Sequence, residues 1–523
     1  MSGDVLVRRT AVMAAGTVLS RLTGFGRVFA LAYAFNFTRL TDAYTLANTT
    51  PNIVYELALG GVLSATLVPV FVDLLGRGDE EGAWAHVSAV VTTALVVLVG
   101  LTALFALAAP AVIGLYTVGR TGDVAADQRA VATFLLFLFA PQVLLYGVIT
   151  MATALANVRR RFAAPMFAPV FNNLVVIGVL LAVPHVAGSL SVAAVRGDTT
   201  TLLLLGLGTT AGVAVQALAQ VFALRGAGIR LRWRWAPGDP AVRRVLRLSG
   251  WTFGFAAANQ VALYVVLVLA NQGDGGDVTA YQAGQMFFLL PHGVFSVSIM
   301  TALLPDLAER WARGDVEAFR RGVVLGLRSI AFVLLPAAVG YLALARPVVD
   351  VALDHGAFRA SSVEATAGVL ACLAVGLPAF SAYLMLMRAY QAMQDTRTMF
   401  RLYVVENGLN VALAFALYPS MGVAGLALAF ALAYTAGTLL AFDRLRRRTG
   451  GLGGGELLRS LGRTAAAAAV MGAVVTAASR TTDEPLLQVG IAVPLGISVY
   501  VLVARAVGAG ELQALFRTRR PPA

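Results

Sequence analysis

The sequence predicts an all-α, polytopic membrane protein. Fourteen transmembrane helices are expected: two six-helix lobes related by a pseudo-two-fold repeat, then two extra C-terminal helices. The first observation is composition. Of 523 residues, 59% are hydrophobic and 13% charged, with a mean hydropathy of +0.78. A soluble chain of this length has no means of hiding that much apolar surface. The second is that long apolar runs recur from end to end, so lipid is the solvent of this fold. The third is an internal repeat. Ala65-Thr66-Leu67-Val68-Pro69 is followed by Arg77-Gly78-Asp79, and Ala302-Leu303-Leu304-Pro305 by Arg313-Gly314-Asp315 at the same spacing. Asn172-x-Leu174 and Asn407-x-Leu409 echo each other at nearly the same offset. Such a repeat points to a transporter with its substrate path between two similar lobes.

The apolar runs place helices at about 10–36, 41–76, 84–117, 129–157, 163–186, 200–226 and 241–271. The remaining seven fall at 277–308, 318–345, 361–393, 398–418, 421–443, 460–480 and 486–507. The first run continues past Arg21 and Arg27 and lacks a small-residue cleavage site, so it reads as a mature helix, not a signal peptide. The second is interrupted by Pro51 and by Gly60-Gly61, and the eighth by Pro291 and Gly293. Helices broken at matching places mark a transporter's central site. The expected lobes are 1–226 and 227–448. Residues 449–523 hold the two extra helices and a basic tail, joined through a flexible glycine-rich link from Gly450 to Gly455.

All 40 basic residues are arginine and the net charge is +13. Arg159-Arg160-Arg161, the cluster from Arg225 to Arg247, Arg310 to Arg321, Arg444 to Arg448 and Arg517 to Arg520 fall on one side of the predicted topology. The positive-inside rule then puts both termini in the cytoplasm of a plasma (inner) membrane protein, and no nucleic-acid role is needed to explain the charge. The loop at 225–245 carries Trp233 and Trp235 among its arginines, the make-up of a segment resting on anionic headgroups or of a simple topogenic loop. No loop is long enough for a soluble catalytic domain, so an enzyme is not expected. The lone Cys372 excludes an internal disulfide, and the four histidines lack metal-ligand spacing.

Ionisable residues inside spans are the candidate functional groups, since each costs roughly 2.5–3.5 kcal/mol to insert. Arg21 and Arg27, near Ser20, Gly24 and Gly26, form either a cationic cavity for an anionic substrate or internal salt bridges to Asp42 or Glu56. Asp42 alternatively caps a helix start. Asn52, next to Pro51, is placed to satisfy backbone groups freed by the break, and Glu56 lies on its face. Glu56 is either an arginine partner or a titrating coupling group. Gln285 and His292 share a face of the eighth helix. His292 is either a proton relay or a neutral hydrogen-bonded side chain. Arg388 either snorkels to the cytoplasmic face or belongs to an inner gate. Asp395 and Thr396 cap the next helix, where Glu406, Asn407 and Asn410 offer oxygen ligands for Na⁺ or a proton, or interhelical hydrogen bonds. No cofactor beyond such coupling ions is expected.

At these residues the chain resembles the MurJ/MviN family of lipid II flippases, in the multidrug/oligosaccharidyl-lipid/polysaccharide exporter superfamily. The resemblance runs over essentially the whole length. It is carried by Ser20-Arg21-x-x-Gly24-x-x-Arg27, Thr41-Asp42-Ala43, Pro51-Asn52, Gly61-Val62-x-Ser64 through Val68-Pro69, Arg161-Phe162-Ala163-Ala164-Pro165, Leu290-Pro291-x-Gly293-Val294 and Gln394-Asp395-Thr396-Arg397-Thr398. It implies alternating-access transport of a polyprenyl-pyrophosphate-linked peptidoglycan precursor from the cytoplasmic to the outer leaflet. Arg21, Arg27, Asp42 and Asn52 would then match cavity positions, membrane lipids would be partners, and cell-wall synthesis proteins would be possible ones. The chain departs from the family where many members carry an arginine pair, here Tyr55 and Glu56. It departs again at Ala283-Gly284-Gln285-Met286. Another polyprenyl-linked glycan, a drug or cation antiported by the same superfamily fold, and a non-transport envelope scaffold are the alternatives.

Overall fold

The computed structural model describes residues 3–57, 61–75, 80–159 and 161–509. Gly60, Arg77-Gly78-Asp79, Arg160 and the basic run Arg517 to Arg520 lie outside the described residues. The described elements are helices, with no strand among them. They are α1 Gly3–Phe35, α2 Arg39–Tyr55, α3 Gly61–Leu75, α4 Glu80–Tyr116, α5 Asp123–Phe139, α6 Pro141–Val158, α7 Ala163–Val186, α8 Val192–Gly197 and α9 Thr199–Ala223. There follow α10 Pro240–Ala270, α11 Asp277–Pro291, a π-helical turn His292–Ser296, α12 Val297–Ala312, α13 Val316–Leu353, α14 Ala360–Ala392, α15 Thr396–Thr449, α16 Gly454–Ser479 and α17 Pro485–Ala506.

Each of the fourteen expected segments falls on one of these helices or on an adjacent pair. Among the described residues, ten helical spans are long and apolar enough to cross a membrane. Their outward residues are apolar too: Leu107, Leu218, Leu439 and Leu502 are exposed, as expected where lipid is the surrounding medium. The two long expected helices at 398–418 and 421–443 run on as α15, bent where Gly422 takes φ 55°, three residues after Pro419. Only a residue without Cβ adopts that backbone readily.

The two interruptions have matching construction. Helix α2 carries Pro51, and its continuation α3 starts at Gly61. Helix α11 ends at Pro291, and the π-helical turn leads into α12. Pro69 is the ninth residue of α3 and Pro305 the ninth of α12. π-turns inside helices concentrate at functional positions. Beside Pro51, it is Thr50 Oγ1 that donates to a backbone carbonyl, that of Leu46, at 2.6 Å; Asn52 was expected to serve the break, and its side chain is exposed instead.

Contacts gather the chain into two compact units. The first holds the described residues through Thr279, with Gly356–Phe358. In it α1 packs on α7, α7 on α9, α2 on α5, and α10 on α3 and α4. Grouping by contact therefore places α10 with the first unit, whereas grouping by repeat begins the second lobe at 227. In the second unit α14 packs between α13 and α15, and α16 and α17 pack on α13. Gly472 lets Val339 of α13 approach, and Gly496 lets Val475 and Met471 approach; small residues at the seams permit close helix packing in lipid. Tyr500 donates to the Phe332 carbonyl at 2.5 Å in the same seam.

The link at 450–455 is not loose. Gly450, Gly451 and Gly453 all take positive φ, Gly451 N–H donates to Arg446 O at 2.8 Å, and Leu452 is buried. Arg320 donates to the Thr449 carbonyl beside it. The glycines serve a left-handed helix termination and a tight turn, which composition alone does not distinguish from a flexible linker. Outside the spans, Asp198 caps α9: the Thr201 hydroxyl and backbone N–H both donate to it and hold its carboxyl below the usual carboxylate range.

Candidate substrate site and buried polar clusters

Helix α1 carries its arginines at a fixed register. Asn173 of α7 donates to the Ser20 carbonyl at 3.2 Å and to Thr23 Oγ1 at 3.0 Å, and Gly16 brings α1 against Met166 and Phe167. With α1 held, Arg21 is exposed and Arg27 half-buried. Six residues turn a helix through about 600°, so the two arginines leave it about 120° apart. Arg27 lies within electrostatic reach of the Tyr44 and Tyr146 hydroxyls. These are held in turn: Tyr44 hydrogen-bonds Thr209 at 3.0 Å, and Tyr146 donates to Gln142 Oε1 at 3.2 Å. Among the described residues neither arginine forms an ion pair. Asn52 is exposed and Glu56 half-buried one turn on, and neither forms a hydrogen bond or ion pair with Arg21 or Arg27 among the described residues.

Asp42 is elsewhere. It is 0% exposed. One oxygen accepts Gly276 N–H at 2.6 Å; the other accepts Thr279 N–H at 3.1 Å and the Thr279 hydroxyl at 3.0 Å. It thus caps the start of α11 rather than its own helix, at whose start Thr38 N–H donates to Thr41 Oγ1 at 2.7 Å. The salt bridges considered for it with Arg21 or Arg27 are absent, because its acceptor capacity is directed to this turn. The same turn draws in residues that the sequence reading did not single out. Arg39 donates to the Asn271 carbonyl at 3.1 Å and to that of Gly273, and Arg120 to the same two oxygens at 2.7 and 3.1 Å. Gln128 donates to Asn271 Oδ1 at 2.7 Å. Gly276 takes φ 92°, and a Cβ there would meet the Phe37 carbonyl at 2.4 Å. The adjacent Gly275-Gly276 was the one local signal that a tight, strapped turn stands here.

In the second unit, His292 opens the π-turn and accepts from or donates to Ser381 Oγ through Nδ1 at 2.8 Å, with its ring edge-on to Phe380. It lines a cavity of about 210 Å³ shared with Arg388, Gln391, Tyr403 and methionines of α12, α14 and α15. Arg388 is exposed and donates to Gln391 Oε1 at 2.8 Å. Gln285 stays apart, donating to the buried Tyr281 hydroxyl at 3.3 Å. Asp395 accepts Thr398 N–H at 3.1 Å, as the capping reading expects.

Glu406, Asn407 and Asn410 are all buried on α15. Asn407 Nδ2 donates to Glu406 Oε2 at 2.9 Å. Glu406 Oε1, Asn410 Oδ1 and the Tyr383 hydroxyl are buried without a hydrogen-bond partner. Gly437 permits the packing: a Cβ there would come within 3.2 Å of both Glu406 and Tyr383. Among the described residues no three His, Cys, Asp or Glu side chains stand together. One carboxylate with amide and phenol oxygens fits a proton or Na⁺, and not a transition metal.

A family model described as "Lipid II flippase MurJ" matches residues 31–495. The chain belongs to the MurJ family. A probable lipid II flippase MurJ of Rhizobium meliloti (strain 1021) is 28% identical, aligning 98% of this chain with 96% of the relative. One from Thermotoga maritima is 26% identical over 98% of both. A solved structure of lipid II flippase MurJ in an inward closed conformation superposes with a TM-score of 0.79 over 95% of this chain and 98% of its own, at 20% identity. An inward-facing MATE family multidrug transporter superposes at 0.69 over 84% and 98%, at 14% identity. These last two likenesses establish the fold. With its apolar spans, this MurJ-family chain is a multi-pass membrane protein.

Proposed function

We propose that this chain is a flippase that moves lipid II, the lipid-linked peptidoglycan precursor, from the cytoplasmic to the outer leaflet by alternating access. The observation that carries the reading is the α1 pair. In a MurJ-family chain, Arg21 and Arg27 sit on a helix held in register by Asn173, and among the described residues no carboxylate pairs with either. Guanidinium forks are suited to diphosphate oxygens, which they meet bidentately. The diphosphate engages these arginines, the sugar-peptide head stays hydrated, and the polyprenyl tail stays in lipid. Transport of this kind makes and breaks no covalent bond, and no enzymatic step is assigned.

A second cargo, another polyprenyl-linked glycan, is favoured by one observation: Tyr55 and Glu56 stand where many family members carry arginines. Tyr55 is buried and hydrogen-bonded to Thr150 at 2.5 Å, so it does not substitute for a cation. Native mass spectrometry of the purified protein separates the two. Co-bound lipid with the mass of the disaccharide-pentapeptide precursor is the expected result. A different polyprenyl-linked glycan at comparable occupancy would replace lipid II in the proposal.

Coupling is assigned to the second unit. Glu406 would hold a proton or Na⁺ with Asn410 and Tyr383, and release on one side would bias the cycle. Glu406→Gln is expected to retain co-bound lipid yet lose the dependence of transport on pH or Na⁺. An unchanged dependence would remove Glu406 from the coupling.

A further inference from the structure

The segment from Ile229 to Trp235 alternates without a break: Ile229, Arg230, Leu231, Arg232, Trp233, Arg234, Trp235. It is tied to α4 by its backbone. Arg232 N–H donates to Ser88 Oγ and Arg234 N–H to Thr92 Oγ1, both at 3.1 Å. Four residues of helix rise about 6 Å, and two residues of extended chain span about 6.6 Å. The match fixes residues 232–234 as an extended strap along the third and fourth turns of α4. Successive side chains of an extended chain point to opposite faces, so the arginines share one face and Leu231, Trp233 and Trp235 share the other. Trp233 is 74% exposed and Trp235 52%.

The level of the strap follows from the length of α4. Its 37 residues span about 55 Å, some 25 Å more than a hydrocarbon core of about 30 Å. With the core centred on the helix, its edge falls near Ser88. Arg232 then stands at that edge with Arg230 about 6 Å above it among the headgroups, while Trp233 lies just below the edge and Trp235 about 6 Å deeper. The protein leaves this charge largely uncompensated. Arg234 reaches Asp239 at 3.6 Å. Asp239 is committed to His86 at 2.8 Å and to capping α10 through Ala241 N–H at 2.9 Å. Glu80, the carboxylate facing Arg230, pairs with Arg159 at 3.4 Å. Arg232 forms no ion pair among the described residues.

We infer that this strap is a binding site for the headgroup of an anionic phospholipid, with Arg230 and Arg232 holding the phosphodiester and Trp233 and Trp235 seated beside its upper acyl carbons. The choice of a lipid over a soluble protein rests on the depth of the strap and on tryptophans standing out beside uncompensated arginines at that depth.

The full chain, reconstituted in zwitterionic nanodiscs, tests this through tryptophan quenching by acyl-brominated lipid. One arm contains brominated phosphatidylglycerol, the other the same fraction of brominated phosphatidylcholine. The strap signal is the difference between the wild type and Trp233→Phe/Trp235→Phe. Quenching of that signal should be more than about twofold stronger with the anionic lipid. The difference should vanish in Arg230→Gln/Arg232→Gln and persist in Arg313→Gln, an exposed arginine elsewhere. Equal quenching by both lipids would overturn headgroup recognition. Absence of quenching would place the strap in water, open to a soluble partner, and overturn the inference altogether. All three arginines are exposed, so folding of the variants is not at issue.

Discussion

Arg21→Ala and Arg27→Ala are each expected to abolish support of growth while membrane abundance stays near wild type. A charge-assisted hydrogen bond is worth about 1.5–3 kcal/mol, so losing one guanidinium weakens diphosphate binding by roughly ten- to a hundredfold, and losing both removes it. Arg→Lys at either position restores only part of the activity, because a point charge replaces a planar fork. The measurement is complementation of a depleted strain, with the protein quantified in isolated membranes. Variants that disappear from the membrane would instead mark the arginines as structural. That outcome is not expected, since neither forms an ion pair among the described residues.

The second large effect is on stability. Asp42→Ala leaves the Gly276 and Thr279 N–H groups and the Thr279 hydroxyl without their acceptor in a fully buried setting. Leaving a buried donor unpaired costs about 1–3 kcal/mol, and three donors lose their acceptor here, so the total is several kcal/mol. The expected result is a sharply lowered unfolding temperature in detergent and low membrane abundance. Asp42→Asn keeps one acceptor oxygen and should lose roughly half as much. If Asp42→Ala is as stable as the wild type and loses only transport, Asp42 acts on the substrate and not as a cap.

These three residues also show what the sequence makes legible. The helix pattern was readable because each span is a long apolar run closed by arginines, glycines or prolines. The break at Pro291-Gly293 was readable because proline removes a backbone donor. Arg21 and Arg27 stood out as charges within an apolar run. Asp42 stood out for the same reason, yet its destination did not. It caps a turn 234 residues away in the chain, and no local pattern encodes a partner at that distance. Arg39 and Arg120 were hidden differently. Arg39 opens α2 and Arg120 lies in the short loop after α4, so neither stands inside an apolar run, while their guanidinia are spent on the carbonyls of Asn271 and Gly273. Gly450 to Gly455 misled through composition, because glycine serves a flexible link and a left-handed cap equally well. The buried cluster at Glu406 was visible as residue types; that Tyr383 and Gly437 complete it depends on packing between α14 and α15.

The most direct test of the transport claim is the fraction of lipid II exposed on the outer leaflet of intact cells, followed as the protein is depleted in a strain without a redundant flippase. Outward exposure should fall while total lipid II rises, and lysis should follow. Wild-type protein should restore the exposed fraction, and Arg21→Ala/Arg27→Ala at equal abundance should not. An exposed fraction unchanged by depletion, or restored equally by the double variant, would contradict the account.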